Sequence, residues 1–192
     1  SIALAANEQA KGKGVMVVFS DGIYGGRDVQ KISTCQTDAF DSKDFGGMGY
    51  MVDGVPYFYN DSVKCHTTET EFDVSSLKEL PKVGVAYFTI DADPEILDYY
   101  KESGVQGIVI AGAGSGCYSE QWNNKIDELA ETGIPVVRCS RIGSGVITQD
   151  DYFIGNIARG NDLAPQKAAT LLRLILTVTN DIEQVQNMFD KY

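Results

Sequence analysis

The sequence predicts an α/β protein built around parallel β-sheet, and two observations indicate this class. From about residue 80, short apolar runs typical of strands buried on both faces alternate with helical patterns. Glycine-rich or polar turns separate these runs. Because a β-α-β-α-β order places neighbouring strands parallel with right-handed crossovers, we expect residues 80–192 to form a complete, small, doubly wound parallel-sheet domain.

The elements of this second half follow from apolar patterning and from the residues that begin and end helices. Three apolar runs predict strands at 83–88, 107–111 and 135–139. Four helices are predicted: one from Asp93-Pro94 to Gly104, one over 120–131, one from Pro165 to about residue 176, and one over 182–190 capped by Asn180. A loop rich in Gly and Ser separates the third strand from the third helix.

Residues 1–79 are patterned differently. The continuous apolar run at 15–19 is typical of a strand buried on both faces of a parallel sheet, and residues 21–26 are predicted as a turn or loop. Runs rich in Tyr, Val and Phe flank Asp53-Gly54, which predicts a β-hairpin over 46–59. A strand buried on both faces needs sheet neighbours that this segment lacks. We therefore expect residues 1–79 to be the end of a larger N-terminal α/β domain.

Charge and cysteine usage exclude several classes of function. The chain has 16 Lys and Arg against 27 Asp and Glu, a net charge of −11, so it lacks the basic face that binds nucleic acid or anionic membrane surfaces. No window approaches the roughly 18 consecutive apolar residues of a transmembrane helix. The four cysteines, at positions 35, 65, 117 and 139, are too widely spaced for a metal or redox pair, and we expect buried or partly buried free thiols. No metal site is expected, because acidic residues do not cluster with histidine.

Short stretches, in order along the whole chain, resemble the bacterial type II L-asparaginases. They are VVFSD at 17–21, GRDVQK at 26–31, DAF at 38–40, HTT at 66–68, FDV at 72–74, LPKV at 80–83, GIVIAGAGSG at 107–116, VRCSR at 137–141, LAPQKA at 163–168 and FDKY at 189–192. The resemblance implies an amidohydrolase that converts L-asparagine to L-aspartate and ammonia, with L-glutamine open as a second substrate. It also implies that no cofactor is used, that the protein is a homotetramer built from intimate dimers, and that it is periplasmic or secreted.

The resemblance also shows what these residues do not contain. The family's threonine nucleophile lies in a Thr-Gly-Gly-Thr-Ile motif, with a Gly-Gly-Thr-Asp motif further on, and neither occurs in the 192 residues. We therefore expect the chain to be the C-terminal part of such an enzyme, with the nucleophile on a missing N-terminal segment as its partner. The alternative is a catalytically inactive remnant that serves as a binding or assembly module. The ordered run of motifs disfavours a ligand-binding domain of unrelated chemistry.

Lys31 is the candidate catalytic residue. The resemblance places the lysine of GRDVQK in the proton relay behind the family's Thr-Asp pair. A threonine hydroxyl is a weak nucleophile that needs a nearby base, and a positioned lysine can move that proton. Arg27 and Asp28 are expected to pair with each other or to brace the loop. Thr37-Asp38 looks like the family's catalytic pair but lacks the preceding Gly-Gly, so we interpret it as structural.

The loop after the second predicted strand is the candidate binding segment, because ligand sites of α/β proteins lie at the carboxyl ends of parallel strands. Its glycines lack the spacing of a dinucleotide site. The resemblance implies that a polar residue here contacts the substrate's amino group across a subunit interface, and Ser115 or Cys117 would occupy that place. The family commonly has Asn or Ser where Cys117 stands, and a thiol is a poorer hydrogen-bonding group. The resemblance also implies an acidic side chain from the loop after the third predicted strand, and the match at that position is ambiguous between Asp151 and Tyr152. His66 is interpreted as structural.

Overall fold

The chain folds as two units, Ser1–Thr70 and Glu71–Tyr192. They are seen in a computed structural model that describes residues 1–153 and 155–192. The position of the domain boundary predicted between residues 79 and 80 stays a prediction. Each unit is described below on its own.

The first unit is built mainly from short antiparallel strands. Its strands are β1 (Met16–Phe19), β2 (Gly22–Gly25), β3 (Gln30–Lys31), β4 (Phe40–Asp41), β5 (Gly49–Val52) and β6 (Val55–Phe58), and its helix α1 spans Ile2–Ala5. Strands β1, β2, β5 and β6 form one antiparallel sheet in that order, while β3 and β4 pair separately. Leu4 of α1, Ile23 of β2 and Met48 form a small core in this unit.

The prediction for residues 15–19 was wrong in its partner and in its burial. Strand β1 pairs antiparallel with β2 across a two-residue turn, in which Phe19 faces Gly22, and all four of its residues are only half-buried. Ser20 and Asp21 both adopt positive φ, 45° and 61°, so the chain reverses at once instead of entering a loop. Ser-Asp is a weak signal for such a turn, since Asn-Gly and Asp-Gly are the favoured pairs. A continuous apolar run therefore identified the strand but not its neighbour.

The hairpin predicted around Asp53-Gly54 is confirmed. Strands β5 and β6 pair antiparallel with Val52 facing Val55, and the two turn residues have φ of 49° and 81°. Positive φ at both central positions allows the turn to follow the right-handed twist of the strands, and glycine adopts this conformation without a Cβ penalty.

The second unit contains the predicted parallel sheet. Its strands are β7 (Val83–Tyr87), β8 (Gly107–Gly112), β9 (Val136–Ser140) and β10 (Ile157–Arg159), and its helices are α2 (Ile96–Glu102), α3 (Glu120–Ala130), α4 (Pro165–Ile175) and α5 (Ile182–Lys191). All four strands are parallel, in the order β7-β8-β9-β10. Strand β10 was not predicted, because a three-residue Ile-Ala-Arg segment is too short to show a strand pattern.

Helices cover both faces of this sheet, as expected for a doubly wound domain. Along β8, Ile108 and Ile110 point to one face, where they share a core with Trp122 of α3. The opposite face meets α4, since a Cβ on Gly107 would lie 2.9 Å from a methyl carbon of Leu172. Alternate side chains of a strand point to opposite faces, so every residue of β8 is buried.

One helix begins later than predicted, and another begins at the predicted residue but with a different capping side chain. Helix α2 starts at Ile96, and the Asp93 side chain accepts a hydrogen bond from the Glu95 N–H (3.0 Å) within the turn that precedes it. Helix α5 is capped by Asp181, which accepts from the Gln184 N–H (3.0 Å), and not by Asn180. Asx side chains serve both roles, and the sequence alone does not distinguish them.

A cluster of polar contacts ties the first residue of the second unit to its last helix. The Glu71 carboxylate accepts from the Lys191 ammonium (2.6 Å) and from the Tyr192 hydroxyl. The ring of Phe72 lies 5.0 Å from that of Tyr192, which is itself buried. The hydrogen bonds from Lys191 and Tyr192 lower the pKa of Glu71 to about 2.

We expect Glu71→Gln to destabilise the chain at pH 7 and to have a smaller effect in acid. The pKa of Glu71 is lowered on folding from 4.5 to about 2, so its contribution is present above pH 4.5 and is lost as the pH falls through about 2. The effect is small because Glu71 is exposed to solvent. Urea unfolding at pH 7, 5, 4 and 3 measures it, with the exposed Glu79→Gln as control. A gap between variant and parent that does not shrink in acid would contradict the expectation.

Candidate functional site

The candidate catalytic lysine lies in the first unit, on a short two-stranded sheet. Lys31 ends β3 and faces Phe40 of β4, and its Nζ lies 5.0 Å from the centroid of the Phe40 ring. The centroid of the Phe40 ring in turn lies 4.8 Å from that of the Phe19 ring, so the two rings pack together beneath Lys31. The Lys31 side chain is exposed in this unit.

A tight turn brings the chain from β2 into Lys31. The N–H groups of Asp28 and Val29 both donate to the carbonyl of Gly25, at 3.1 and 3.0 Å, and Val29 is buried. The expected pairing of Arg27 with Asp28 is confirmed at 2.8 Å. These contacts define the turn that leads into Lys31.

Two further sequence candidates occupy other parts of this unit. Thr37 and Asp38 are exposed, and the Thr37 carbonyl accepts a hydrogen bond from the Ser20 hydroxyl (3.1 Å). His66 is half-buried, with Nδ1 3.2 Å from the Thr67 hydroxyl, and its ring packs over Gly14, where a Cβ would lie 3.2 Å from that nitrogen. These contacts agree with the structural interpretation of His66 and Thr37.

The candidate binding loop lies in the second unit, directly after β8. Ala113 and Cys117 exchange both backbone hydrogen bonds, at 2.8 and 2.7 Å, so the three residues between them form a closed tip. Gly114 and Gly116 adopt positive φ, 52° and 79°, which glycine accommodates readily. Ser115 and Cys117 are both exposed on this loop. The loop therefore presents polar groups outward from the carboxyl edge of the sheet.

A buried arginine under this loop was not recognised from the sequence. Arg138 of β9 is 2% exposed, and its guanidinium donates to the carbonyls of Ser115 and Thr148, each at 2.8 Å. Its Cζ lies 4.2 Å from the centroid of the Phe153 ring. Burial lowers the pKa of the Arg138 guanidinium below its usual value. A lone Arg inside the apolar run Pro-Val-Val-Arg-Cys was the available signal, because arginine is rarely buried without partners.

Other polar side chains of the second unit are also buried. Within the described part of the chain, the Tyr118 hydroxyl and the Asn123 side-chain oxygen are buried without a hydrogen-bond partner. Burial raises the pKa of Tyr118 above its ordinary value. Burial also raises the pKa of the Cys139 thiol to about 12, so it stays protonated and inert at neutral pH. All four cysteines are free thiols, but only Cys139 is buried and Cys65 half-buried, whereas Cys35 and Cys117 are exposed, contrary to expectation.

Asp151 and Tyr152, the two candidates for the expected acidic position, lie after β9. Tyr152 is exposed, its N–H donates to the Asp150 carboxylate (2.9 Å), and its ring lies 4.9 Å from that of Phe153. The side chain of Asp151 lies outside the described part of the structure. The two candidates for this position therefore stay open.

Within residues 1–153 and 155–192, no three His, Cys, Asp or Glu side chains are grouped so that they could hold a metal ion. In the same part of the chain, no helix has both the length and the apolar composition needed to cross a bilayer.

The fold is that of an α/β protein with a four-stranded parallel sheet, and the candidate binding loop lies at the carboxyl edge of that sheet. Comparison with models of protein families assigns the chain to a family. The model described as Glutaminase/Asparaginase C-terminal domain matches residues 82–189, and the model described as Asparaginase, N-terminal matches residues 1–64. The chain belongs to the asparaginase/glutaminase family, and the resemblance found in the sequence is confirmed.

Individual relatives agree with this assignment. The whole chain aligns with L-asparaginase 2 of Bacillus subtilis (strain 168) at 39% identity, covering 51% of that protein. It aligns with a glutaminase-asparaginase of Acinetobacter glutaminasificans at 38% identity, covering 60% of that protein. The crystal structure of a probable cytoplasmic L-asparaginase from Campylobacter jejuni superposes with a TM-score of 0.94 at 40% identity, over 100% of this chain and 63% of that one.

The chain therefore spans between about half and two thirds of the length of the relatives it matches. The relatives' descriptions differ in compartment. A protein of Haemophilus influenzae (strain ATCC 51907 / DSM 11121 / KW20 / Rd), 35% identical and covered to 56%, is described as a probable periplasmic L-asparaginase, whereas the Campylobacter jejuni structure is described as cytoplasmic.

Proposed function

We propose that the protein to which these residues belong hydrolyses the side-chain amide of L-asparagine, releasing L-aspartate and ammonia. The observation that carries the proposal is the family match over both units, which includes Lys31 in one and the Ser115 loop in the other. The names of the relatives, L-asparaginase and glutaminase-asparaginase, support this substrate class and make L-glutamine the second amide to be tested.

The proposed reaction uses a threonine hydroxyl supplied by residues outside the 192. Its oxygen attacks the amide carbon, the C–N bond breaks, and ammonia leaves with the proton that the relay delivers. Water then hydrolyses the acyl-enzyme ester to give aspartate and free threonine. Lys31 moves the proton that leaves the threonine hydroxyl. Ser115 or Cys117 contacts the substrate's amino group, in the site of a neighbouring subunit.

This division of roles requires an oligomer. A loop that completes a neighbouring subunit's site works only when two copies meet, and we propose a homotetramer built from intimate dimers. On the resemblance to the type II enzymes, we propose that the protein is periplasmic or secreted, and one relative described as periplasmic supports this. The cytoplasm is the alternative, in line with the solved neighbour described as cytoplasmic.

A second candidate function follows from the absent nucleophile motifs. If these 192 residues act without the Thr-Gly-Gly-Thr-Ile and Gly-Gly-Thr-Asp segments, the threonine chemistry is lost and the chain serves as a binding or assembly module.

Mass spectrometry and an ammonia assay decide between the two. We expect native spectra of the protein purified from its source to show an oligomer that contains the threonine motifs, and we expect it to release ammonia from L-asparagine. Denaturing spectra then report whether the motifs lie on the same polypeptide or on a separate one. A 20.9 kDa species alone, with no ammonia released, would overturn the amidase proposal in favour of the binding module.

A further inference from the structure

We infer that Arg138 is the positioning residue of the substrate-binding loop: it fixes the backbone at Ser115 and couples it to the loop after β9. The inference rests on the proposed function for the assignment of Ser115 to substrate binding. Its geometric part, that Arg138 sets the conformation of the loop, stands on the contacts of the second unit alone.

The burial of Arg138 requires a reason. A charged side chain that is 2% exposed loses its hydration, and this loss is costly unless hydrogen bonds within the protein replace the lost water. Here the guanidinium recovers part of that loss from two backbone carbonyls at 2.8 Å and from the face of the Phe153 ring. Each of these partners lies in a loop or in the turn that follows it, and none lies in the sheet that carries Arg138.

The contacts join two loops at the carboxyl edge of the sheet. Ser115 is the tip of the loop after β8, and Thr148 belongs to the loop after β9. The loop also lies directly on the arginine stem, since a Cβ on Gly116 would be 3.1 Å from the Arg138 Cγ. Through Thr148 and Phe153 the same side chain braces both sides of the segment that contains Tyr152. One guanidinium therefore holds both segments in which binding residues are proposed.

The planar fork of arginine suits this task and the ammonium of lysine does not. Two nitrogens of one guanidinium can donate in parallel directions to two carbonyls while the flat group stacks on an aromatic ring. A lysine keeps the charge but presents a single nitrogen, which cannot reproduce both hydrogen bonds and the stacking at once. Because Arg138 is buried, it acts through the loop and does not touch substrate.

The test is Arg138→Lys in the full-length oligomeric enzyme, with Arg141→Lys as the matched control. Arg141 lies three residues further on and donates to the Phe88 carbonyl at 2.9 Å, outside the Ser115 contacts. We expect Arg138→Lys to raise KM for L-asparagine about 10-fold, with kcat changed by less than about threefold, because a ground-state contact is misplaced while the reacting groups are untouched. Arg141→Lys should leave both constants within about twofold of the parent enzyme.

Hydrogen exchange supplies a readout that does not depend on activity. The amides of Ala113 and Cys117 close the loop, and we expect them to exchange at least about 10-fold faster in Arg138→Lys than in Arg141→Lys. Should Arg138→Lys fail to fold, Phe153→Leu removes the ring on which the guanidinium stacks, together with the contacts of that ring to Tyr118 and Tyr152. It is expected to shift KM and exchange in the same direction by a smaller factor.

The outcomes separate this inference from the proposed function. Faster loop exchange in a protein whose parent releases no ammonia would refute the proposed function and leave Arg138 as the residue that holds the loop. Unchanged exchange and unchanged KM in an active enzyme would overturn the inference. A loss confined to kcat, with KM unaltered, would also overturn it, because it would place Arg138 in the chemical step.

Discussion

Lys31→Met is expected to lower kcat for L-asparagine by about 10²–10⁴-fold in the full-length enzyme, which is the usual contribution of a proton-transfer group. The unfolding free energy should change little, because the side chain is exposed and its ammonium lies 5.0 Å from the Phe40 ring centroid. Such an exposed cation–π contact contributes about 0.5–1 kcal/mol. Steady-state ammonia release and urea unfolding measure the two quantities.

Lys43→Met is the control for this experiment, since Lys43 is an exposed lysine of the same unit. It should retain the activity of the parent. If Lys31→Met kept more than about a tenth of the parent kcat, the lysine would not belong to the relay. If it lost activity and stability together, its role would be structural.

Gly160→Ala is expected to destabilise the chain by about 3 kcal/mol, as overpacking of a core does. A Cβ at this position would lie 2.2 Å from the Sγ of Cys139, which is fully buried in β9. The backbone cannot move away easily, because the Gly160 N–H donates to the Arg138 carbonyl at 2.8 Å. Urea or thermal unfolding of the chain measures the loss.

A double mutant tests the cause of this loss. Cys139→Ala removes the sulfur atom that the new methyl group would meet, so the pair Cys139→Ala/Gly160→Ala should recover at least half of the stability that Gly160→Ala loses. The coupling between contacting residues is commonly about 0.5–3 kcal/mol. The exposed Cys35→Ala serves as control and should rescue nothing. Additive effects of the Cys139 and Gly160 substitutions would show that the clash is relieved elsewhere.

The predictions that succeeded depend on residues close together in the chain. Asp53-Gly54 predicted its hairpin because a type I′ turn is decided by the two residues that form it. The strands β8 and β9 were located because sustained apolar runs are buried whichever neighbours they have. The GRDVQK stretch and the ordered motifs identified the family, since each is a local string of residues.

The predictions that failed depend on partners distant in the chain. The run at 15–19 was correctly a strand, yet its antiparallel pairing with β2 is decided by a Ser-Asp turn that has no strong sequence signal. Strand β10 forms because its three residues pair with β9, and its composition alone does not predict a strand. Pairing energy comes from the neighbour as much as from the strand, and a single sequence does not show the neighbour.

By itself, the sequence determined the α/β class, the family and the candidate residues Lys31, Ser115 and Cys117. Only the tertiary structure showed that Arg138 lies buried beneath the Ser115 loop and bonds two carbonyls from different loops. The physical reason is that the type and spacing of residues decide secondary-structure propensity, turn conformation and motifs, and each of these depends on only a few neighbouring residues. The burial of the Arg138 charge depends instead on distant segments. Its hydrogen-bond partners lie 10 and 23 residues away in the chain and meet the guanidinium only in the folded protein.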